Sequence, residues 1–499
     1  MIKSAVLAQV EYLNSKSEED RKEIGQYFTG APVSNYIASL FDEDDIPDEV
    51  SILDAGAGAG ILTISTALYC IDNGKKSVHA VLYEIDENAL EVLSQSMEDL
   101  KGFIEAQDGQ FSYEIRNKDF VLDRPDQKGE SFDISCINPP YFKYNSKTSP
   151  YAVATTDLYK GNPNIYASFM AVVISSLKPK GQMVAIVPRS YLNGLYFKGF
   201  RQFLFKNTSL NKVHIFRSRN QVFRELAVLQ ENIICHYSKE RQGEQVRVSV
   251  SNGHADFEHT ETNYYPTSIV IDETNDAGFI RVPDSSEDAE LLEFVEHMES
   301  SFTGNGYNIS TGPVVSHRAT EHITDKDDLD NTVPLLKMHN VKLFKTEWTG
   351  ANKKDSRLRL FNGHCKITTR NQRFIVLKRF TSKEEARRLV AGIHSPKFIN
   401  GEVVAFENHL NLVSHHTDEL SEVEANGLAL LFNSTLVDRY FRCISGNTQV
   451  NATEVRLLKL PSRADIRKIG EHYHEGEAIT QQQVDKIVNK QLNYRDGNG

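Results

Sequence analysis

The sequence predicts an α/β fold whose mostly parallel, doubly wound sheet occupies the first half of the chain and precedes an α+β domain. Short apolar runs alternate with helical patterns from residue 51 to residue 237, as they do in successive βαβ units. A glycine-rich turn at 56–60 joins the first strand to its helix. The alternation then fades, and a polar linker at 238–245 separates a domain at 1–240 from one at 246–499.

The predicted elements follow one another in a regular order. Each predicted strand is a short apolar run, and Asp86 is a side-chain cap for the helix that follows it. A basic turn at 178–181 closes one helix, and the fifth strand follows. The strands are predicted at 51–55, 78–83, 111–116, 132–137, 182–187, 213–216 and 228–237, and the helices at 3–14, 17–24, 32–41, 61–70, 87–100, 165–177 and from 199 onward.

Composition and cysteine usage indicate an ordinary globular protein. The 499 residues are 40% hydrophobic and 25% charged, which is enough chain for two to four domains. Residues 1–16 lack the apolar core of a signal peptide, and no apolar run is long enough to predict a membrane span. The five cysteines are widely spaced, and none of the 16 histidines forms a metal motif. We therefore expect a cytoplasmic protein that binds neither a membrane nor a metal.

Charge is distributed unevenly along the chain. The net charge is −12, yet residues 178–224 carry +10 and residues 337–388 carry +11. Two basic stretches on an acidic background are typical of a protein that holds a polyanion on one face. The alternative is that both stretches are solvated faces whose charges pair with acids elsewhere.

The turn after the fourth predicted strand reads Asn138-Pro139-Pro140-Tyr141. Two consecutive prolines stiffen this turn at the carboxyl end of a strand, where α/β sheets carry their chemistry. The side chain of Asn138 and the carbonyl of Pro139 offer two acceptors for the hydrogens of a planar amine, and Tyr141 offers a ring for a flat base. Alone, the motif is equally a strand-ending turn with a packed tyrosine.

The ends of the other strands carry a matching set of groups. The turn at 54–60 has G-x-G-x-G spacing, which lets the backbone approach a ligand closely but differs from the spacing of dinucleotide binders. Glu84 ends the second strand, as a carboxylate for two ribose hydroxyls does. Asp119 ends the third, where its carboxylate would accept from an adenine amino group and where Phe120 and Ile85 would sandwich that adenine. The set favours S-adenosylmethionine, although each acid alone is also a helix cap or a solvated strand end.

These motifs, taken in order, resemble the γ-class DNA adenine-N6 methyltransferases of the TaqI modification-enzyme type, the methylases of type II restriction–modification systems. Residues 25–29 resemble the family's amino-terminal cofactor motif, and residues 138–141 resemble its catalytic motif. The chain departs from the family at Gly30, where a proline usually follows the threonine, and Pro32 comes two residues later.

The resemblance implies a role for each matching residue. Catalytic roles fall to Asn138, Pro139, Tyr141 and Phe223, the last as an aromatic that stacks on a flipped base. Cofactor-binding roles fall to Thr29, Asp54, Ala55, Gly56, Gly58, Glu84, Ile85, Asp119, Phe120, Pro140 and Phe169.

The resemblance also implies the overall activity and the partners. Residues 1–240 would form a Rossmann-like S-adenosylmethionine-dependent catalytic domain, and residues 246–499 would recognise the target in double-stranded DNA. The candidates for reading bases lie in 337–388 and around Asn447 to Asn451, within the segment 445–451 that resembles the end of these recognition domains, as Asn433-Ser434 also does. A separate restriction endonuclease is expected from the resemblance, and the protein is expected to be a monomer or a weak dimer.

Two other functions fit part of this pattern. The same catalytic motif serves enzymes that methylate RNA adenine or protein glutamine, but those are usually shorter and lack a long basic domain after the sheet. A catalytically inactive DNA-recognition subunit would keep the fold, but it would have no need of the intact Asp54, Glu84, Asp119 and Asn138.

Overall fold

The chain divides into two compact units, Met1–Asp284 and Ser285–Gly499. Phe223, residues 25–28 and the helices predicted before them lie outside the residues that the structure describes. The structure is a computed structural model that describes residues 29–145, 147–161, 164–217, 232–272, 278–360, 365–381, 385–399, 401–445 and 449–495.

Within the described residues, the first unit is built on a nine-stranded sheet of order β3-β2-β1-β4-β5-β7-β6-β8-β9. The strands β1 to β5 are parallel, β7 runs antiparallel between β5 and β6, and β9 runs antiparallel to β8. The strands are β1 Glu49–Ala55, β2 Ser77–Tyr83, β3 Gln110–Arg116, β4 Phe132–Ile137, β5 Leu177–Pro188, β6 Ser209–Phe216, β7 Asn232–Ser238, β8 Gln245–Ser251 and β9 Glu261–Pro266.

Helices cover this sheet, and their buried residues recur at helical spacing. In α3, Leu93, Met97, Leu100 and Ile104 are buried on one face, and Asp86 caps the helix by accepting from the backbone of the residue at 88. The helices are α1 Ala31–Ala38, α2 Ile61–Asp72, α3 Glu87–Glu105, α4 Phe120–Asp123, α5 Pro150–Ala154, α6 Ile165–Ser175, α7 Lys198–Asn207 and α8 Thr267–Val270.

The strands and helices predicted for the described part of 51–237 are present, and the predicted α/β class is confirmed. The structure differs at β5, which begins at Leu177 instead of residue 182. Its pairing with β4 shifts register between Leu177 and Gln182, so the basic turn at 178–181 is an irregularity within the strand. Lys180 has a left-handed backbone there, with φ of 65°.

The boundary between the two units falls after Asp284, later than the predicted boundary between 240 and 246. Strands β8 and β9 follow the polar linker and extend the sheet, β8 alongside β6 and β9 alongside β8. The alternating valines of β8 are buried against the sheet, because one side of this strand faces the core. The residues after 240 therefore complete the first unit before the second begins.

In the described part of the second unit, a four-stranded sheet has the order β11-β21-β18-β19 and a five-stranded sheet has the order β12-β16-β13-β20-β17. Its strands are β10 Ser300–Ser301, β11 Tyr307–Thr311, β12 Ile323–Asp325, β13 Thr332–Leu336, β14 Val341–Lys342, β15 Lys345–Thr346, β16 Ser356–Arg359, β17 Thr369–Arg370, β18 Phe374–Lys378, β19 Ala391–His394, β20 Val403–Phe406, β21 Leu410–His415 and β22 Lys459–Leu460. Its helices are α9 Ser286–Glu296, α10 Glu422–Phe432, α11 Thr435–Ile444, α12 Ala452–Arg456, α13 Arg463–Gly470 and α14 Gln481–Leu492.

None of the helices in the described ranges is both long and apolar enough to span a bilayer. Two of the helices in the second unit cross at glycines. A side chain at Gly427 of α10 would meet the carbonyl oxygen of Ile466 at 1.9 Å, and one at Gly470 would meet that of Val423 at 1.8 Å. The two helices therefore approach each other closely because both positions lack a side chain.

Candidate active site at the ends of the central strands

The predicted site residues of the first unit gather at the carboxyl ends of β1, β2, β3 and β4. Strands β1 and β4 are neighbours, and Ile52 pairs with Ile134 and Leu53 with Ser135. This register brings the end of β1 at Ala55 beside the start of the Asn138 turn. Ligand sites of open α/β sheets form outside these strand ends.

The glycine turn after β1 requires glycine for two different reasons. Gly56, Gly58 and Gly60 have φ values of 86°, 56° and 81°, in the left-handed region that other residues rarely adopt. Gly60 also lacks room for a side chain, because a Cβ there would lie 2.7 Å from Cε of Met97. At Gly56 a Cβ would meet Phe169 at an ordinary 3.7 Å, so the ring of Phe169 lies beneath the turn.

Asp54 is a buried carboxylate with one oxygen engaged. Its Oδ2 accepts a hydrogen bond of 2.6 Å from the hydroxyl of Thr63, whereas its buried Oδ1 has no hydrogen-bond partner among the described residues. Burial raises the pKa of Asp54 to about 7, and the neighbouring carboxylate of Glu84 also favours the protonated form. An unsatisfied carboxylate oxygen beside a glycine turn is ready to accept from a ligand.

Glu84 at the end of β2 is held by the backbone around it. Its Oε2 accepts from the N–H of Gly58 at 2.8 Å, and its Oε1 accepts from the N–H of Asp86 at 2.9 Å. Burial raises the pKa of Glu84, and the two backbone hydrogen bonds oppose that change. The carboxylate thus has a fixed orientation next to the glycine turn, and each oxygen retains capacity for a second hydrogen bond.

Asp119, after the end of β3, accepts hydrogen bonds from a helix and from a tyrosine that was not predicted from the sequence. Its Oδ1 caps α4 by accepting from the N–H of Leu122 at 3.1 Å. Its Oδ2 accepts from the hydroxyl of Tyr151 at 2.8 Å, and burial and this bond raise the pKa of the tyrosine. The ring of Tyr151 lies 6.0 Å from that of Phe142 and 5.7 Å from that of Tyr144, in the segment that follows residues 138–141.

The two residues predicted to sandwich an adenine differ in exposure. Ile85 is 54% exposed, whereas Phe120 is buried, with its ring 5.1 Å from that of Tyr83 and 5.5 Å from that of Phe169. The structure therefore brings Phe120 and Phe169 together at the floor of the site.

Asn138 and Tyr141 form a hydrogen-bonded group directly after β4. The Nδ2 group of Asn138 donates to Oγ1 of Thr29 at 2.9 Å, which fixes the orientation of the amide. The hydroxyl of Tyr141 lies 2.8 Å from Oδ1 of Asn138 and 2.9 Å from the carbonyl oxygen of Ile186, so its one proton can be donated to either. Tyr141 is 7% exposed, and its ring is edge-on to that of Tyr166.

The described residues among those predicted for the site thus lie at or near one edge of the sheet. Pro139 is buried and Pro140 is half-buried between Asn138 and Tyr141 in the sequence. Thr63, Tyr151 and the carbonyl of Ile186 were not predicted from the sequence. A serine before a proline at 149–150 is a helix-start signal that could have drawn attention to Tyr151. Thr63 lies nine residues after Asp54, in the helix that follows the glycine turn, and carries no motif of its own. The contact of Tyr141 with the carbonyl of Ile186 joins segments 45 residues apart and has no local signal.

Three residues that resemble the end of the family's recognition domains make hydrogen bonds within the second unit. The side-chain amide of Asn433 accepts from the N–H of Ala391 and donates to the carbonyl of the same residue, and the hydroxyl of Ser434 caps α11. Asn451 caps α12, with Glu454 reaching back to it. Asn447 lies outside the described residues.

The sequence matches known proteins over almost all of its length. Residues 62–223 match the Eco57I restriction-modification methylase family. The chain is 33% identical to the type II methyltransferase M.BsuBI of Bacillus subtilis, over 95% of each chain. It is also 33% identical to the type II methyltransferase M.PstI of Providencia stuartii, over 97% of this chain and 96% of that one.

A solved structure shares the fold without close sequence similarity. The type IIL restriction-modification enzyme MmeI, solved in complex with DNA, is similar with a TM-score of 0.57 and 9% identity, over 99% of this chain and 76% of that one. The sequence relatives at 33% identity extend the likeness from fold to family. The chain therefore belongs to the type II methyltransferases of restriction–modification systems, as the order of its motifs predicted.

Proposed function

We propose that this protein is a site-specific DNA adenine-N6 methyltransferase that transfers a methyl group from S-adenosylmethionine to a flipped adenine. The family supports a DNA methyltransferase, and the observation that carries the adenine assignment is the Asn138 turn. There, an oriented amide oxygen and the carbonyl of Pro139 follow β4 directly. Two acceptors on one stiff turn match the two hydrogens of an exocyclic amine.

The residues around the glycine turn fit S-adenosylmethionine. Oδ1 of Asp54 is buried without a hydrogen-bond partner among the described residues, and Glu84 presents a fixed carboxylate next to Gly58. Asp119 and Phe169 would complete the site on its adenine side. When bound, the cofactor supplies an electrophilic methyl group on its sulfonium.

The chain's own residues act on the adenine amine by accepting its hydrogens. The lone pair of this nitrogen is delocalised into the ring, so hydrogen bonds to Oδ1 of Asn138 and to the carbonyl of Pro139 draw the nitrogen toward tetrahedral geometry. Thr29 keeps the amide oriented for this task by accepting from Nδ2. Acceptor dipoles that are already in place also stabilise the positive charge that develops on the nitrogen during transfer.

The hydroxyl of Tyr141 has an alternative acceptor when the substrate amine arrives. It can donate to the carbonyl of Ile186, at 2.9 Å, and leave Oδ1 of Asn138 to the amine. An adenine in duplex DNA must leave the base stack to reach this site, at a cost of a few kcal/mol. Stacking on Tyr141 and on Phe223 would offset part of that cost.

The second unit would hold and read the DNA, and a separate restriction endonuclease would cleave unmodified sites. The decisive experiment is a single-turnover assay with tritiated S-adenosylmethionine and duplex DNA, followed by nucleoside analysis. We expect the label on N6 of adenine in wild type and a severe loss in Asn138→Ala. Label on cytosine, on RNA alone or on protein glutamine would contradict the proposal. Single-molecule sequencing of DNA from cells that express the gene then identifies the methylated motif.

A further inference from the structure

Segments that are far apart in the sequence meet at one end of β18 and β21 in the second unit. The N–H of Arg379 donates to the carbonyl of His409 at 3.0 Å, and the N–H of Val450 donates to the carbonyl of Arg379 at 2.7 Å. Phe380 forms an isolated β-bridge with Gln449, and its ring lies 4.8 Å from that of His409. Residues from 379–380, 408–409 and 449–450 therefore share one surface.

A buried acid adds a further segment to this surface. Glu407 is 5% exposed; its Oε2 lies 2.9 Å from Nδ1 of His409, and its Oε1 accepts from the hydroxyl of Ser316 at 3.0 Å. Ser316 begins a short helical turn that ends at the exposed Arg318. The carboxylate of Glu407 is buried and bonded to His409 and Ser316. The side chains around it that reach the surface are arginines, a histidine, an amide and an aromatic ring. We call Arg318, Arg379, Phe380, His409 and Gln449 the Arg379 surface.

The guanidinium of Arg379 is oriented by neutral groups. It donates to the carbonyl of Asn408 at 3.0 Å and to the side-chain oxygen of Gln449 at 3.4 Å. Both bonding partners within the described part of the chain are uncharged, so the positive charge of Arg379 is not cancelled by an ion pair there. Arg and Gln are also the side chains whose donors and acceptors fit the edges of guanine and adenine.

Several other arginines of the basic stretch at 337–388 are either paired with acids or buried. Arg359 lies 2.8 Å from Asp328, Arg370 lies 3.2 Å from Glu419, and Arg388 is buried. The net charge of this stretch therefore overstates its capacity to hold a polyanion. Arg379 is a better candidate for binding a polyanion. Its guanidinium is oriented by hydrogen bonds to neutral groups, and within the described residues no acid pairs with it.

We propose that the Arg379 surface is a DNA contact of this protein, at which Arg379 and Gln449 read a base edge and Arg318 neutralises a phosphate. The inference rests on the proposed function, because it takes duplex DNA as the substrate. Phosphate contacts by cations position a protein on the duplex, whereas an Arg–Gln pair in a groove distinguishes bases. The site is therefore expected to contribute to both affinity and sequence choice.

The first test measures affinity and its dependence on salt. The double variant Arg318→Gln with Arg379→Gln should bind a fluorescent duplex carrying the methylated motif at least tenfold more weakly than wild type. It should also flatten the slope of log affinity against log salt by about one unit, because the phosphate contact proposed for Arg318 is lost. The matched control is Arg359→Gln with Arg370→Gln, which removes the same charge from acid-paired positions and should leave the slope almost unchanged.

The second test separates base reading from charge. Gln449→Ala removes no charge, so it should keep the wild-type salt slope but lower the ratio of methylation rates between the motif and single-base variants of it. Arg379→Lys retains the charge and should keep the slope, but it loses the planar fork and should also lower that ratio. Binding of S-adenosylmethionine is measured on every variant to establish that the first unit is intact.

The behaviour of wild type separates a failure of this inference from a failure of the proposed function. If wild type neither binds nor methylates duplex DNA, the proposed function falls and this inference falls with it. If wild type binds but the Arg318/Arg379 double variant keeps its affinity and slope, or loses no more than the control, the surface is wrong and the proposed function stands. Unchanged discrimination in Gln449→Ala would remove that residue's reading role.

Discussion

Replacing Thr29 with valine tests how the Asn138 amide is held. Valine has nearly the shape of threonine, so the change removes the hydroxyl that accepts from Nδ2 of Asn138 at 2.9 Å with little effect on packing. Thr29 is buried, and the valine side chain fits the space that threonine occupies. We therefore expect the main effect to be on the orientation of the amide.

The size of the effect follows from the contact that is lost. A neutral hydrogen bond contributes about 0.5–1.5 kcal/mol net. The whole of this energy is available to hold Oδ1 of Asn138 toward the substrate amine. Losing it would then raise the barrier to methyl transfer by the same amount and slow the reaction by roughly two- to thirteenfold. Thr29→Ser restores the hydroxyl and should recover most of the rate.

The assay must separate this role from cofactor binding, which the family resemblance assigns to Thr29. Single-turnover methyl transfer gives the rate of the chemical step, and calorimetry gives the affinity for S-adenosylmethionine. We expect Thr29→Val to lower the rate and leave the affinity within about twofold of wild type, which corresponds to less than half a kcal/mol. A large loss of affinity at an unchanged rate would refute the orientation argument and favour direct contact with the cofactor.

Three further predictions concern the site in the first unit. Asn138→Ala should slow single-turnover methyl transfer by roughly 10² or more, the scale for losing one preorganised dipole, and leave cofactor affinity unchanged; a wild-type rate would contradict the assignment. Glu84→Ala should weaken S-adenosylmethionine by about 1.5–3 kcal/mol in calorimetry, because a charged acceptor is lost, and an unchanged titration would mean that the cofactor lies elsewhere. The pKa of Asp54 is raised to about 7, so its carboxyl is mostly neutral at pH 6 and ionises as the pH rises. Affinity for the positively charged cofactor should therefore increase from pH 5.5 to 7. Asp54→Asn should weaken that dependence but not remove it, because the pKa of Glu84 is also raised.

Local patterns predicted the first unit well for identifiable reasons. Most of its strands are short apolar runs, glycine and proline turns follow β1 and β4, and its helices have caps such as Asp86. The start of β5 was misplaced because a turn of lysine, proline and glycine marks an ending in most sequences, whereas here it is an irregularity between two paired parts of one strand. The valines of β8 carried a strand signal, but a polar segment before them favoured a domain boundary.

Several features that the sequence did not predict are contacts between residues far apart in the chain. The bond from Tyr151 to Asp119 spans 32 positions, and the contact of Arg379 with Gln449 spans 70. No spacing rule connects such residues, because the fold alone brings them together. The net charge of a stretch is also an incomplete guide to DNA binding, since it does not show that Arg359 already forms an ion pair with Asp328.

The central place of β1 has a consequence for how this protein is made. Within the sheet β1 pairs with β4, and the buried hydroxyl of Ser135 donates to the carbonyl of Leu53, 82 residues earlier, at 2.7 Å. Closing a loop of that length costs chain entropy before any contact forms, so this pairing is slow compared with helix formation. On the ribosome, Asp54 emerges long before Asn138. The glycine turn of a nascent chain is therefore made well before β4. The turn and Asn138 come together only when β4 pairs with β1.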